Sequence, residues 1–210
     1  VDNSETLYVS RGGLKLAAAL QHCAQQQHYA LNVTGMNCLD IGQSTGGFTD
    51  CLLQHGAATI LGIDVGHSQL HEQLRNDTRV RFLEKINARE LPASLLDHNH
   101  GTPFDIAVMD VSFISQTLIM SSLTPLIQTG GYLLSLVKPQ FEIGENDADR
   151  KQYINKKGIV KNEQAFAIVE QRMREAYTHA HFQVLDYFAS ATTGTDGNRE
   201  FFILAQKTGN

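Results

Sequence analysis

Short apolar runs alternate along this chain with turns rich in Gly or Asp, and then with segments whose apolar residues recur at helical spacing. Residues 36–41, 59–65, 80–83, 104–111 and 132–137 are apolar runs of strand length bounded by polar or glycine-containing turns. Between them, Phe48, Cys51, Leu52 and His55 share one helical face, as do Leu118, Ser122 and Leu126, and a helix is expected over 14–24 ahead of the first strand. Strand alternating with helix predicts a doubly wound α/β domain, whose mostly parallel sheet is covered by helices on both faces. Residues 144–158 lack periodicity and read as a mobile loop. Beyond them, Phe166, Val169, Met173, Ala176 and Ala180 form an apolar stripe, so 162–180 is a long helix. Residues 182–188 and 200–206 are strands joined by the turn-rich 192–198, which predicts a terminal antiparallel hairpin added to the parallel sheet.

Composition narrows the reading. With 210 residues, 42% of them hydrophobic and 19% charged, the chain suits one folded domain with a sizeable core. No run approaches the ~20 apolar residues that cross a bilayer, and no secretory leader opens the sequence. Cys23, Cys38 and Cys51 are an odd number without CxxC spacing, and read as reduced thiols of a cytoplasmic protein. The formal net charge of -5 gives no global attraction to nucleic acid. Residues 1–12, starting at Val1, are expected to be a linker from a longer chain, and 13–210 the folded domain.

The first strand ends in Leu39-Asp40-Ile41-Gly42 and runs through Gln43-Ser44-Thr45-Gly46-Gly47-Phe48 into a helix. Glycines let backbone approach a ligand, and a helix start offers free N–H groups. A dinucleotide would want G-x-G-x-x-G beneath its pyrophosphate, whereas Asp40-x-Gly42-x-x-x-Gly46 places a carboxylate beside the turn. That carboxylate would repel pyrophosphate and could hold an ammonium, which favours S-adenosylmethionine. Asp64, followed by Val65 at the next strand end, can accept ribose hydroxyls, and Asn87 after the third strand is a candidate adenine contact. Asp110 and Lys138 end two further strands on the same sheet edge, where open α/β sheets bind their ligands. Taken singly, each residue has an ordinary explanation: Asp40 as a turn acid, Asp110 as a helix cap, Lys15 as a solvated helix residue, Glu200 as a hairpin acid.

Four segments in order carry a resemblance: Ser10-Arg11-Gly12-Gly13-Leu14-Lys15-Leu16, residues 39–51, Asp110-Val111-Ser112-Phe113-Ile114-Ser115, and Val137-Lys138-Pro139-Gln140-Phe141-Glu142. Together they resemble the TlyA/haemolysin A family of FtsJ-like ribose 2′-O-methyltransferases, from about Tyr8 to the C-terminus. The resemblance implies a Rossmann-like class I methyltransferase fold, with a mostly parallel seven-stranded sheet and an antiparallel C-terminal strand. It also implies S-adenosylmethionine as cofactor and a Lys-Asp-Lys-Glu tetrad on Lys15, Asp110, Lys138 and Glu200. The cofactor positions fall on Asp40, Gly42, Gly46, Phe48, Asp64 and Asn87, with Ser44, Gly47, Val65 and Asp110 beside them. Related enzymes usually carry Trp where Phe48 stands and an acid where Asn87 stands.

Ribosomal RNA, or a ribosomal subunit, is the implied partner, with cytidine 2′-hydroxyls as target. Local cations for it are Arg150, Lys151, Lys156, Lys157 and Lys161, following the acids Glu142, Glu145, Asp147 and Asp149; a solvated loop explains this run equally well. No metal is expected: the pairs His98/His100, His179/His181 and His67/His71 gain no third ligand at metal spacing. Two rival readings are a nicotinamide dehydrogenase, opposed by the glycine pattern, and a membrane-lytic protein, for which no basic amphipathic helix speaks.

Overall fold

A computed structural model describes residues 7–143 and 151–209. The chain order is α1 (Arg11–Ala24), β1 (Asn37–Ile41), α2 (Gly47–Gln54), β2 (Thr59–Ile63), α3 (Glu72–Arg75), β3 (Val80–Leu83), β4 (Phe104–Met109), α4 (Met120–Leu123), β5 (Ile127–Val137), α5 (Pro139–Glu142), α6 (Glu163–His179), β6 (Phe182–Ala189) and β7 (Phe201–Lys207). They build a seven-stranded sheet in the order β3-β2-β1-β4-β5-β7-β6. Strands β1 to β5 pair in parallel, while β7 runs antiparallel to both β5 and β6. The expected hairpin is therefore present, with its second strand inserted between β5 and its first.

Strand alternation distributes the core over two faces. Leu39, Ile41, Ala107, Met109, Leu133 and Ile203 point to the face covered by α6, through Phe166, Val169, Met173 and Tyr177. Cys38, Ile60, Ile106, Val108, Leu134 and Leu204 point to the face covered by α1 and α2, through Leu16, Leu20, Cys51 and Leu52. Cutting one of these fully buried aliphatic side chains back to Ala would cost roughly 2–5 kcal/mol.

Local chemistry sets the boundaries. Asn162 caps α6 by accepting Gln164 N–H at 2.8 Å, which agrees with a helix over 162–180. The segment with Leu118, Ser122 and Leu126 is not one helix. It breaks into the 3₁₀ turn Gln116–Leu118, α4 and the 3₁₀ turn Thr124–Leu126, because Pro125 cannot continue an α-helix. Strand β5 then starts at Ile127, earlier than the apolar run suggested, since glycines at 130 and 131 hid its first half. Two strands stop short of their expected ends, leaving Asp64 and Val65 beyond β2, and Asp110 and Val111 beyond β4. Of the loop expected over 144–158, residues 144–150 lie outside the described residues; Ile154 pairs with Val160 in an isolated antiparallel bridge.

Candidate active site

The ends of β1, β2, β4 and β5 meet on one edge of the sheet. Gly42 leaves β1 with φ 80, and a Cβ there would stand 2.2 Å from the carbonyl oxygen of Asp110. Only glycine lets the turn after β1 pass that close to the end of β4. The turn walls a cleft of about 110 Å³ together with Ser10, Gly12 and Asp110, and residues Ser44, Gly47 and Phe48 line it. Phe48 is held from behind by Phe202, with ring centroids 6.4 Å apart.

Asp64 organises the neighbouring side. Its two carboxylate oxygens accept Ser44 N–H and Gly66 N–H, both at 2.7 Å. Each oxygen keeps a second lone pair for a diol. Gln69 folds across this recess and makes a 3.4 Å contact with the Ser44 hydroxyl, so a nucleoside would require that side chain to swing outward. Val65 is 76% exposed beside it. Asn87 is exposed and caps the 3₁₀ turn Ala88–Glu90 by accepting Arg89 N–H at 3.0 Å, which leaves its amide N–H₂ available. The glycine-built turn, the diol acceptor and the apolar wall of Phe48 fit the methionine and nucleoside ends of S-adenosylmethionine.

Asp40 departs from the ammonium-holding position expected of it. Its strand parity points it at the α1/α2 face, where it is wholly buried and is not among the cleft-lining residues. The Thr49 hydroxyl donates to Asp40 Oδ2 at 2.6 Å, and Gln43 Nε2 donates to Thr49 Oγ1 at 2.9 Å. Burial pushes this carboxyl up to about 7, and Oδ1 has no hydrogen-bond partner. Asp40 therefore braces the turn from beneath, while Asp110 is the acid that faces the cleft.

The four tetrad positions form two ion pairs. Lys15, in the first turns of α1, sits 2.6 Å from Glu200, which is buried just before β7. Lys138, just past β5, sits 2.5 Å from Asp110, and its ammonium also donates to the Ser112 hydroxyl at 2.9 Å. Val137 opposite Phe201 in the β5–β7 ladder brings Lys138 and Glu200 out of the sheet side by side. Chain positions as distant as 15 and 200 thus meet at one edge, each amine with its own carboxylate.

The sequence reading assigns no role to two residues of this site. Ser112 lies in the segment that follows Asp110, and its hydroxyl accepts from Lys138. Phe113 is 90% exposed, adopts φ 63, and leans on Phe141 with centroids 5.0 Å apart. A bulky residue held at positive φ and bare to solvent is strained, as functional loops often are. Phe113 and Phe141 line a groove of about 770 Å³ that also takes in Arg89 and Lys157. A Phe in the strand-end loop, three residues after Asp110, was the available signal. Lys151, Lys156 and Lys161 are exposed as well, whereas Arg150, Glu145, Asp147 and Asp149 lie outside the described residues. Among the described residues, no three His, Cys, Asp or Glu side chains converge as a metal site.

The family model described as FtsJ-like methyltransferase matches residues 8–207. The chain belongs to the FtsJ-like methyltransferase family. Its methyl donor is accordingly S-adenosylmethionine. A relative from Bacillus subtilis, provisionally described as rRNA methyltransferase YqxC, is 41% identical over 93% of this chain and 64% of its own length. The 16S/23S rRNA (cytidine-2′-O)-methyltransferase TlyA of Mycobacterium tuberculosis is 38% identical over 97% of this chain and 70% of that protein. A crystal structure from Lactococcus lactis, provisionally described as a hemolysin, superposes with a TM-score of 0.86 at 35% identity, covering 97% of this chain and 90% of that one. This FtsJ-like chain thus spans less than two thirds of the Bacillus relative's length.

Proposed function

We propose that this FtsJ-like methyltransferase methylates ribose 2′-hydroxyls of ribosomal RNA, with cytidine as the target nucleoside. The observation that carries the reading is the pair of amine–carboxylate contacts, Lys138–Asp110 and Lys15–Glu200, at the mouth of the glycine-lined cleft. When bound, the cofactor supplies a methyl group made electrophilic by its sulfonium.

The chain's residues do the rest. Lys138, held by Asp110 and Ser112, would accept the proton of the attacking hydroxyl once its ammonium has given up a proton to solvent, and would hold that oxygen toward the methyl group. Lys15, fixed by buried Glu200, adds a second positive charge that favours an anionic oxygen nearby. Holding hydroxyl and methyl in line supplies much of the rate, which explains why both amines are braced by carboxylates rather than left mobile. The target nucleotide would lie along the groove where Phe113 offers an exposed ring for a splayed-out base, and Arg89 and Lys157 face phosphates. The name of the Mycobacterium relative supports ribosomal RNA and cytidine. The net charge of -5 leaves affinity to such local cations and to the further third that longer relatives carry.

The lytic reading has less behind it, since among the described residues no helix is long and apolar enough to cross a membrane. The test is to incubate the chain with S-adenosylmethionine and purified ribosomal subunits, then map ribose methylation by mass spectrometry. A 2′-O-methylcytidine absent from the Lys138→Ala control is expected. Methylation confined to bases or protein, or none at all, would reject the proposal.

A further inference from the structure

The loop that leaves β4 carries Asp110 and Ser112, yet its own backbone barely holds it. Among the described residues, no backbone N–H from 111 to 114 donates to a protein acceptor, and Phe113 is kept at φ 63. A strained loop without internal hydrogen bonds keeps one shape only if its surroundings impose it.

Glu142 imposes it. Its carboxylate is 3% exposed and accepts two hydrogen bonds from the far end of this loop, Ser115 Oγ–H at 2.6 Å and Gln116 N–H at 3.0 Å. Gln116 is also buried: its Nε2 donates to the Leu136 carbonyl of β5 at 2.6 Å, and its Oε1 accepts the Tyr177 hydroxyl of α6 at 2.9 Å. Arg172 of α6 donates to the carbonyls of Glu142 and Ile143 at 3.1 and 3.3 Å. These contacts weld the loop after β4 to β5 and α6.

The position of Glu142 in the chain gives that weld a consequence. Lys138 is the N-cap of α5, Pro139 opens the helix, and Glu142 closes it. One helical turn, with its first φ locked by the proline ring, joins the ammonium-bearing residue to the carboxylate that anchors the loop. Asp110 lies at one end of that loop and the Glu142 grip at the other.

We propose that Glu142 is the positioning residue of the Lys138–Asp110 pair, its grip on Ser115 and Gln116 setting how closely the Asp110 loop approaches Lys138. It lines neither the cofactor cleft nor the aromatic groove, so it acts through the loop and not on substrate. Only the kinetic half of the test rests on the methyl-transfer reading.

The first measurement is competitive acylation of the lysines in the whole chain with trace acetic anhydride, read by peptide mass spectrometry, in wild type and Glu142→Gln. Loss of one acceptor should free the loop and raise labelling of Lys138 about three- to tenfold, towards the low end of what directly coupled contacts carry. Lys15, paired with Glu200, and Lys207, which donates to the carbonyls of Thr124 and Ile127, serve as internal references and should not change. Unchanged Lys138 labelling, or a rise shared equally by all three lysines, would overturn the proposal, the latter because it reports general loosening. Ser115→Ala removes one of the two bonds to Glu142, along with the Ser115 hydroxyl's contacts to Thr117, and should show the same selective rise, smaller in size, should Glu142→Gln not fold. On ribosomal subunits, Glu142→Gln should lower kcat roughly tenfold while KM for RNA and cofactor Kd stay put. A wild-type chain inert on RNA would reject the methylation reading, while the acylation result would still decide the role of Glu142.

Discussion

Lys138 and Asp110 meet at 2.5 Å although their strands are out of step at this point. Met109 of β4 lies opposite Ser135 of β5, so the lysine stands two residues further along than the register partner of the aspartate. The contact is therefore made by the loop that leaves β4, with Ser112 completing the ammonium's surroundings. The polar contacts of this amine thus go to the loop after β4.

Replacing Lys138 with Ala is expected to lower methyl transfer by about 10²–10⁴. Cofactor affinity should change little. Arg should not rescue, because a guanidinium stays protonated and cannot accept the hydroxyl proton. Single-turnover assays on ribosomal subunits, with calorimetry for the cofactor, check both points. An active Lys138→Arg enzyme would leave the lysine a positioning role and the proton acceptor unidentified.

Asp64→Ala is expected to weaken S-adenosylmethionine binding by about 1.5–3 kcal/mol, the worth of hydrogen bonds to a charged acceptor. Because Asp64 also receives Ser44 N–H and Gly66 N–H, part of that loss should come from a looser turn. Asp64→Asn keeps one acceptor oxygen and should fall between. Wild-type affinity in both variants by calorimetry would take Asp64 out of the site.

Asp40 predicts a pH dependence of stability. Burial raises its carboxyl from 3.8 to about 7, so between those values the folded chain retains a proton that the unfolded chain has released. Raising the pH through that window removes stability, on the order of 2–4 kcal/mol, while outside it both states carry the same charge. Asp40→Asn cannot ionise, so its advantage over wild type should grow from pH 4 to 7 and then level off. Urea unfolding at several pH values decides, and parallel curves would contradict the raised value.

Gly42→Ala should be costly twice over. The new methyl would lie 2.2 Å from the Asp110 carbonyl at a backbone φ of 80, a strain of roughly 1–3 kcal/mol or more. Relief must push the end of β4 away, so Asp110 shifts and transfer slows along with the loss of stability. Denaturation and kinetics on the same preparation test this; a stable, fully active variant would show that the turn and β4 need not pass so close.

Much of this protein was determined by its sequence alone. Side-chain periodicity marked the strands and the long helix because burial on one face imposes a period of two or about 3.6 whatever the neighbours are. The glycine turn after Asp40 was legible for a similar reason, since backbone conformation is a local property, whereas the four tetrad residues stood out as a set only through the family resemblance. Tertiary structure alone decided which partners those residues meet. The sheet order, with β7 inserted between β5 and β6, brings Glu200 to Lys15 across 185 positions, a pairing no local pattern encodes. Which helices cover which face turned Asp40 from a presumed ligand into a buried brace. Glu142 looked like the first of an acidic run until folding buried it against Ser115 and Gln116. In each case what was missing was the surroundings of a polar group, and desolvation and hydrogen bonding are set by residues remote in sequence.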